Sequence, residues 1–359
     1  MQNPISRRGL LVSPGIVGLL VAPHAQATAS VDPEVRLVPL PTRVFKTPDA
    51  GHERTESWVF WMFVETQTPA PLSIQSMRIE LTKGGAPVRS ADYGAAAVAA
   101  LTIPPPMTPR LADGSASPKP IFWPQALRIR CTEPLASGVN AMEIELTLSR
   151  DGHQTLARRT IPVETYAQKT SLIYPFRGQG VVTQAGVTNG GHRNRSGGFA
   201  LDAIGLDENY GIYRPGAGQG SAGYCGWGRD VLAPAAGVVV KARTDRPDQP
   251  NPEASDPKYY AREYPNGGDP GNHLVIDHGQ GEFSMLAHLR SGSLKATAGD
   301  RVRQGQVVGQ LGSSGDTETP HLHYQLQSGP DWEWADGLPC KFSNVGGGPL
   351  SRGSYFEAR

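Results

Sequence analysis

The sequence predicts an all-β protein with two domains, and three observations support this. Apolar and polar residues alternate with a period of two in several segments, which is typical of half-buried strands. The 359 residues include 43 glycines and 32 prolines, and only 19% are charged, a composition that favours strands and turns over a helical bundle. The chain is long enough for two cores. We expect an N-terminal immunoglobulin-like β-sandwich followed by a C-terminal antiparallel β-sheet domain.

The first 27 residues read as an export signal. Arg7 and Arg8 precede a short apolar run, and Ala25–Ala27 supplies a small-x-small cleavage site. The paired arginines suggest the twin-arginine route. Pro14 breaks the apolar run, which is too short for a membrane anchor. The sequence therefore predicts an exported protein, periplasmic or extracellular, with no transmembrane segment in the mature chain.

The net charge bears on possible partners, and the cysteine content bears on disulfide formation. Removing residues 1–27 takes away Arg7 and Arg8 and lowers the formal net charge from +1 to −1. A nearly neutral chain gives no electrostatic reason to expect nucleic-acid binding. Cys131 falls in a strand pattern and is expected to be a buried structural thiol. Cys225 and Cys340 would then be able to form a disulfide in the oxidising compartment that export implies.

Residues 28–166 are predicted to form the β-sandwich domain. Alternation is clear in Met77–Thr82 and in Met142–Leu148, whereas Trp58–Val64 is almost wholly apolar and suggests a fully buried strand. Several such strands separated by turn residues are typical of an immunoglobulin-like fold. Nothing in this region indicates catalysis.

Residues 167–359 are predicted to form the second domain. Glycine becomes dense after residue 174, and short strand patterns recur. Two long connections, 205–229 and 242–270, interrupt them, and loops of that length in a compact domain are commonly functional. The connection 242–270 is the candidate for a loop that covers a site.

The most informative motif is Pro320–His323. On a strand, His321 and His323 point to the same face, about 6–7 Å apart. One of them can bind a metal while the other lies near a water on that metal. Gln325 and Gln327 continue the same face.

Other residues suit the same site. Asp202 is flanked by apolar residues, where an unpaired carboxylate is unfavourable and a cation would relieve the penalty. His192 lies in a glycine-rich turn, and His288 lies in an apolar strand pattern. A hydrolytic zinc site needs three protein ligands, usually histidine nitrogens and often a carboxylate, with a position left for water.

At this point a family resemblance is clear. Residues from about 174 to 345 resemble the lysostaphin/LytM-type zinc metallopeptidases, exported enzymes that cut peptide bonds in bacterial peptidoglycan. The resemblance rests on six segments in order: Asp230–Val239, Gly271–Gly279, Ala287–Leu289, Gly299–Gln306, Gly309–Gly315 and Pro320–His323. It does not reach the N-terminal domain.

Carried over by position, the resemblance implies that His192, Asp202 and His323 bind one zinc ion and that His288 and His321 are catalytic. The commonest family pattern has its first histidine four residues before the aspartate. Here His192 stands ten residues before it, a spacing found in a subset of similar sequences.

The roles of the two catalytic histidines stay open. His321 is expected to be the base, because it shares a strand face with His323, and His288 to orient water or stabilise the oxyanion. The two roles could be exchanged. His273 and His278 are expected to be hydrogen-bonded structural residues.

The sequence therefore predicts an exported zinc metalloendopeptidase that hydrolyses peptide bonds in peptidoglycan cross-links. The alternative is a catalytically inactive family member that binds the cell wall or regulates another wall hydrolase. A third reading assigns wall binding to the N-terminal domain. Neither His-Glu-x-x-His nor Gly-x-Ser-x-Gly occurs in the chain, which argues against other common hydrolase classes.

Overall fold

The structure is a computed structural model that describes residues 30–49, 52–66, 72–103, 122–186, 192, 195–217, 220–249, 268–346 and 350–359. The predicted export signal lies outside these residues, as does the central part of the connection 242–270. The described chain is nearly all β, which confirms the predicted fold class. No helix in the described part is long and apolar enough to cross a membrane.

The N-terminal half contributes the following elements: β1 (Val35–Leu40), β2 (Val44–Asp49), β3 (His52–Thr66), β4 (Ser73–Lys83), β5 (Ala86–Gly94), α1 (Ala95–Leu101), β6 (Thr102–Ile103), β7 (Phe122–Pro134), β8 (Ala141–Arg150) and β9 (His153–Thr165). The strands pair in the order β5-β4-β8-β9-β2-β3-β7-β6, and β1 pairs with β3. Strand β2 joins the two halves of this order, since it runs parallel to β9 and antiparallel to β3.

The alternation seen in the sequence matches the burial in this half. Met77 on β4 and Ile144 on β8 point into one core, together with Trp58 and Phe60 of β3. Trp61, the next residue of β3, belongs to a separate apolar cluster on the other face. Both faces of β3 are therefore buried, which explains its continuous apolar run. The immunoglobulin-like arrangement and the domain boundaries stay predictions.

The C-terminal half contains β10 (Gly178–Ala185), β11 (Leu201–Gly205), β12 (Asp230–Leu232), β13 (Gly237–Arg243), β14 (Asn272–Asp277), β15 (Phe283–Leu289), β16 (Arg301–Val302), β17 (Val307–Gln310), β18 (Leu322–Gln327), β19 (Gly337–Leu338) and β20 (Tyr355–Ala358). The main sheet has the order β16-β13-β14-β15-β18-β11-β10-β20, with β19 on β18, while β12 and β17 pair separately. All its pairings are antiparallel.

Strand β18 lies near the middle of that sheet and is buried on both faces. Leu322, Tyr324 and Leu326 pack in the C-terminal core. The other face carries His323 and the two glutamines that follow it on the same side, and all three are also buried. Because buried polar side chains need hydrogen-bond partners, this second face is where the sheet builds a polar site.

A buried carboxylate fixes the joint between the two halves. Glu282 accepts hydrogen bonds from the hydroxyl of Tyr166 at 2.5 Å and from the backbone N–H groups of Lys169 at 2.8 Å and Thr170 at 2.7 Å. Burial alone would raise the pKa of Glu282, but these donors outweigh it and hold the pKa below its usual value.

The predicted disulfide is wrong, since Cys225 and Cys340 are both free thiols. Cys340 packs against the C-terminal core, whereas Cys225 lies in a loop with its Sγ 4.0 Å from the carboxylate of Asp207. Cys131 packs against the N-terminal core as expected, and burial raises its pKa to about 12.

Candidate metal centre

Two neighbouring strands bring the first pair of candidate ligands together. Asp202 on β11 stands directly opposite His323 on β18 in the antiparallel register. On its other side, His323 stands opposite Ala287 of β15, so His288 follows at the end of that strand. The ladder therefore places residues that are far apart in sequence at one point of the sheet.

The three predicted ligands converge in the structure. One donor atom from each of His192, Asp202 and His323 lies within 4.8 Å of the other two. Nε2 of His192 is 3.1 Å from one carboxylate oxygen of Asp202, and Nδ1 of His323 is 2.9 Å from the other. Nδ1 of His192 is buried and has no hydrogen-bond partner among the described residues.

This donor set fits a zinc ion. Two imidazoles and one carboxylate are a ligand combination found in catalytic zinc sites, where a fourth position is left to water or substrate. Asp202 is only 5% exposed. Burial by itself would raise its pKa, but His192, His321 and His323 outweigh burial and hold the pKa well below the usual range.

The two predicted catalytic histidines lie beside this group. The rings of His288 and His321 have centroids 4.7 Å apart. Nδ1 of His288 is 2.8 Å from the carbonyl of Ser314, and Nδ1 of His321 is 2.7 Å from that of Thr319. Since a carbonyl oxygen only accepts, both Nδ1 atoms carry the proton in the neutral ring and leave Nε2 as the acceptor.

The environment keeps both rings neutral. Burial lowers the pKa of His321 and lowers that of His288 still further, where neighbouring His321 and His323 add to the effect. Nε2 of His321 points toward the candidate ligands, 3.6 Å from the carboxylate of Asp202. A neutral imidazole with a free Nε2 can accept a proton from water.

All five of these residues line one cavity of about 470 Å³. Its remaining walls combine polar and apolar side chains from β10, β15, β18 and the adjoining loops: Thr183, Gln184, Gly268, Asp269, Pro270, Met285, Asp316, Thr317, Glu318, Thr319, Gln325, Trp332 and Arg352. Residues 268–270 are the end of the connection predicted to cover a site. Most of that connection, residues 250–267, lies outside the described part, so the covering loop stays a prediction.

His192 lies outside the strands, and side-chain contacts hold the residues that follow it. Arg195 makes a bidentate ion pair with Asp336, at 2.8 and 3.0 Å. Thr42 of the N-terminal half donates to the same carboxylate at 2.5 Å. A side chain at Gly198 would meet Pro41, with its Cβ only 3.0 Å from the proline ring. The N-terminal half therefore contacts the segment between two candidate ligands.

The other two histidines of this domain have structural contacts, as expected. His273 is hydrogen-bonded to the carbonyl of Gly271, and His278 to the carbonyl of Ala236 and the hydroxyl of Ser284. Neither lines the cavity.

Sequence reasoning missed the residues that orient the histidines. Thr317 donates to the carbonyl of Thr319 and lies 3.0 Å from Nδ1 of His321. Arg195 and Asp336 are 141 residues apart, and no local pattern connects them. Gln325 was visible in the sequence as part of the histidine face, but its contact with Nε2 of His323 at 2.8 Å was not predicted.

Residues 219–333 match the sequence profile of Peptidase family M23. The peptidoglycan DD-endopeptidase ShyC of Vibrio cholerae is 40% identical over 56 residues, which is 16% of this chain and 12% of that protein. The DD-carboxypeptidase/endopeptidase Mpg of Neisseria meningitidis is 41% identical over 57 residues, 16% of this chain and 13% of that protein. The chain thus spans about an eighth of the length of these curated relatives.

Among solved structures, the catalytic domain of the antimicrobial peptidase lysostaphin from Staphylococcus simulans is 18% identical, with 45% of this chain and 88% of that chain covered and a TM-score of 0.26. The match to Peptidase family M23 extends from the loop before β12 to the turn after β18. It includes His288, His321 and His323, and the resemblance found in the sequence is confirmed. Residues 219–333 are therefore similar to Peptidase family M23.

Proposed function

We propose that the protein is an exported zinc metalloendopeptidase that hydrolyses peptide bonds in peptidoglycan cross-links. One observation carries this proposal: His192, Asp202 and His323 converge to within 4.8 Å, and the same cavity holds His288 and His321. Two strand-borne ligands, one loop-borne ligand and two neutral imidazoles make up the parts that metal-assisted hydrolysis requires.

Zinc is the ion that best suits two imidazole nitrogens and one carboxylate. A zinc ion held there would lower the pKa of a water molecule toward ~7 and polarise the scissile carbonyl. The protein supplies the rest. Asp202 provides the negative charge, and the cavity that the ligand group lines gives room for part of a peptide.

The two histidines handle the proton. Nε2 of His321 accepts the proton of the attacking water and then donates it to the leaving amine nitrogen. Nε2 of His288 accepts a second hydrogen bond and orients that water. The carbonyls of Ser314 and Thr319 hold both rings in the required tautomer. Since both rings are held in the same way, their roles could be exchanged.

The substrate and the compartment are inferred from relatives and sequence. The two relatives with partial sequence matches are a peptidoglycan DD-endopeptidase and a DD-carboxypeptidase/endopeptidase. The predicted export signal would deliver the mature chain to the cell envelope. A cleft lined by acidic groups, an arginine and a tryptophan suits a peptide that carries both charges.

The test is a combined measurement on the mature chain. We expect one zinc ion per molecule by elemental analysis and release of peptide fragments from purified sacculi, identified by mass spectrometry of defined muropeptides. Chelation should stop the release, and added zinc should restore it. Full zinc loading without any cleavage would support the inactive family member instead, and absence of zinc binding would refute the proposal.

A further inference from the structure

The polar face of β18 contains a chain of buried amides behind the candidate metal site. His323, Gln325 and Gln327 are 7%, 2% and 0% exposed. Nε2 of His323 is 2.8 Å from Oε1 of Gln325, and Nε2 of Gln325 is 2.5 Å from Oε1 of Gln327. Nε2 of Gln327 lies 2.7 Å from the carbonyl of Gly329. We call these three side chains and the Gly329 carbonyl the glutamine relay.

The far end of the glutamine relay fixes its direction. The carbonyl of Gly329 can only accept a hydrogen bond, so the amide of Gln327 must present its NH₂ group to it. Its oxygen then faces Gln325 and accepts from the NH₂ group there. The oxygen of Gln325 is left facing His323, and an oxygen beside a ring nitrogen requires a proton on that nitrogen.

This direction decides which nitrogen of His323 can bind a metal. With the proton held on Nε2, Nδ1 of the neutral ring carries a lone pair. That lone pair lies 2.9 Å from a carboxylate oxygen of Asp202. Two electron-rich atoms at this distance repel each other unless a second proton or a metal ion lies between them. The arrangement therefore suits a metal ion bound by Nδ1 of His323 and by Asp202.

We propose that Gln325 is a positioning residue that holds the proton on Nε2 of His323 and so presents Nδ1 to the metal. Gln327 and the Gly329 carbonyl hold the amide of Gln325 in the required orientation. This inference rests on the proposed function, because the metal is the zinc ion proposed above. Such outer hydrogen bonds fix ring orientation and raise the basicity of the ligand, and their loss lowers metal affinity by ~10–100-fold.

The experiment compares zinc affinity, measured by competition with a chelator, in the mature protein and four variants. Gln325→Leu removes the acceptor at similar volume and should weaken zinc binding by ~10–100-fold. Gln325→Glu keeps an acceptor for Nε2–H, although it loses the NH₂ group that faces Gln327, and it should bind zinc more tightly than Gln325→Leu by about 10-fold. Gln327→Leu removes only the support and should lie between them. Gln304→Leu, a glutamine outside the cavity lining, is the matched control.

A second readout is independent of affinity. In zinc-loaded protein with ¹⁵N-labelled histidine, the glutamine relay requires a protonated Nε2 and a metal-bound Nδ1 in His323. Metal bound through Nε2 overturns the inference. So does wild-type affinity in Gln325→Leu, or equal weakening in Gln325→Leu and Gln325→Glu.

The two proposals fail in different ways. If the parent protein binds zinc and cleaves sacculi while Gln325→Leu binds zinc equally well, the glutamine relay has no role and the proposed function stands. If the parent protein binds no zinc, the proposed function fails and the inference fails with it. Should Gln325→Leu not fold, the contrast between Gln325→Glu and Gln327→Leu, together with the ¹⁵N spectrum, decides the question.

Discussion

The candidate metal site has a strand-borne half and a loop-borne half, and the two are held by different forces. Asp202 and His323 face each other across the β11–β18 ladder, where backbone hydrogen bonds fix their spacing. His192 lies on a segment outside the strands. Its neighbour Arg195 is anchored by an ion pair to Asp336, which lies just before β19.

The loop-borne half also contacts the N-terminal half of the chain. Thr42 shares the carboxylate of Asp336 with Arg195, and Pro41 covers Gly198 between the two candidate ligands. A strand ladder carries its own register wherever the sheet forms. A loop has no such register, so its position relies on long-range contacts. The comparison indicates that residues of the N-terminal half help to hold the segment that leads from His192 to Asp202.

The strongest test of the strand-borne half is Asp202→Asn. The amide keeps the shape but removes the negative charge that lies between three imidazoles, so zinc affinity should fall by more than about 100-fold. Cleavage of sacculi should fall with it. The measurement is chelator competition, with Asp207→Asn as the control, because that carboxylate accepts hydrogen bonds in a loop outside the cavity lining. Undiminished affinity in Asp202→Asn would show that the ladder does not define the site.

A second test separates metal binding from proton transfer. His321→Gln and His288→Gln each remove a neutral Nε2 acceptor, so the rate of peptide release should fall by ~10²–10⁴-fold. Zinc content should stay at one ion per molecule, since neither residue belongs to the three-residue ligand group. His278→Gln, outside the cavity lining, is the control. Loss of zinc from either site variant would mean that its ring is a ligand.

These halves also differ in what the sequence could predict. The period of two in residues 321–327 placed His321 and His323 on one face, and the apolar surroundings of Asp202 indicated a buried, compensated carboxylate. Strand alternation is a local property, so these features can be read directly. The identity of His192 depended on family resemblance, since its distance from Asp202 follows no local period.

Long-range contacts explain what the sequence could not supply. Nothing near Arg195 indicates that Asp336 will anchor it, because the two residues are 141 positions apart and meet only in the folded chain. The disulfide prediction failed for the same reason: cysteine counting gives possible pairs, but the fold gives Cys225 and Cys340 different surroundings. The direction of the glutamine relay could not be predicted from the sequence, because it depends on the position of the Gly329 carbonyl.

The anchor of the loop-borne half can be tested by Arg195→Gln. This change removes a bidentate, charge-assisted contact, and the segment that carries His192 gains freedom. We expect zinc affinity to fall by about 10-fold, less than for Asp202→Asn, since the ligands themselves remain. Arg158→Gln is the matched control, because it breaks an arginine–glutamate pair between β8 and β9. Equal zinc affinity in Arg195→Gln and the parent protein would show that this ion pair does not position His192.

The smallest effect on the site is expected for Glu282→Gln at the joint. Zinc affinity should be unchanged, because Glu282 contacts Tyr166, Lys169 and Thr170 and does not line the cavity. The free energy of unfolding at pH 7 should fall by about 1–3 kcal/mol, since a buried carboxylate that accepts three hydrogen bonds is lost.

The pH dependence of that stability has a definite sign. The pKa of Glu282 is lowered in the folded chain, so its contribution is fully present above the ordinary glutamate pKa of about 4.3. It is lost as the pH falls through the folded value. Urea unfolding of metal-free protein at several pH values should therefore show a steeper acid-side loss in the parent than in Glu282→Gln. Glu357→Gln, at an exposed position of β20, should leave that slope unchanged. A change in zinc affinity in Glu282→Gln would instead link the joint to the loop-borne half.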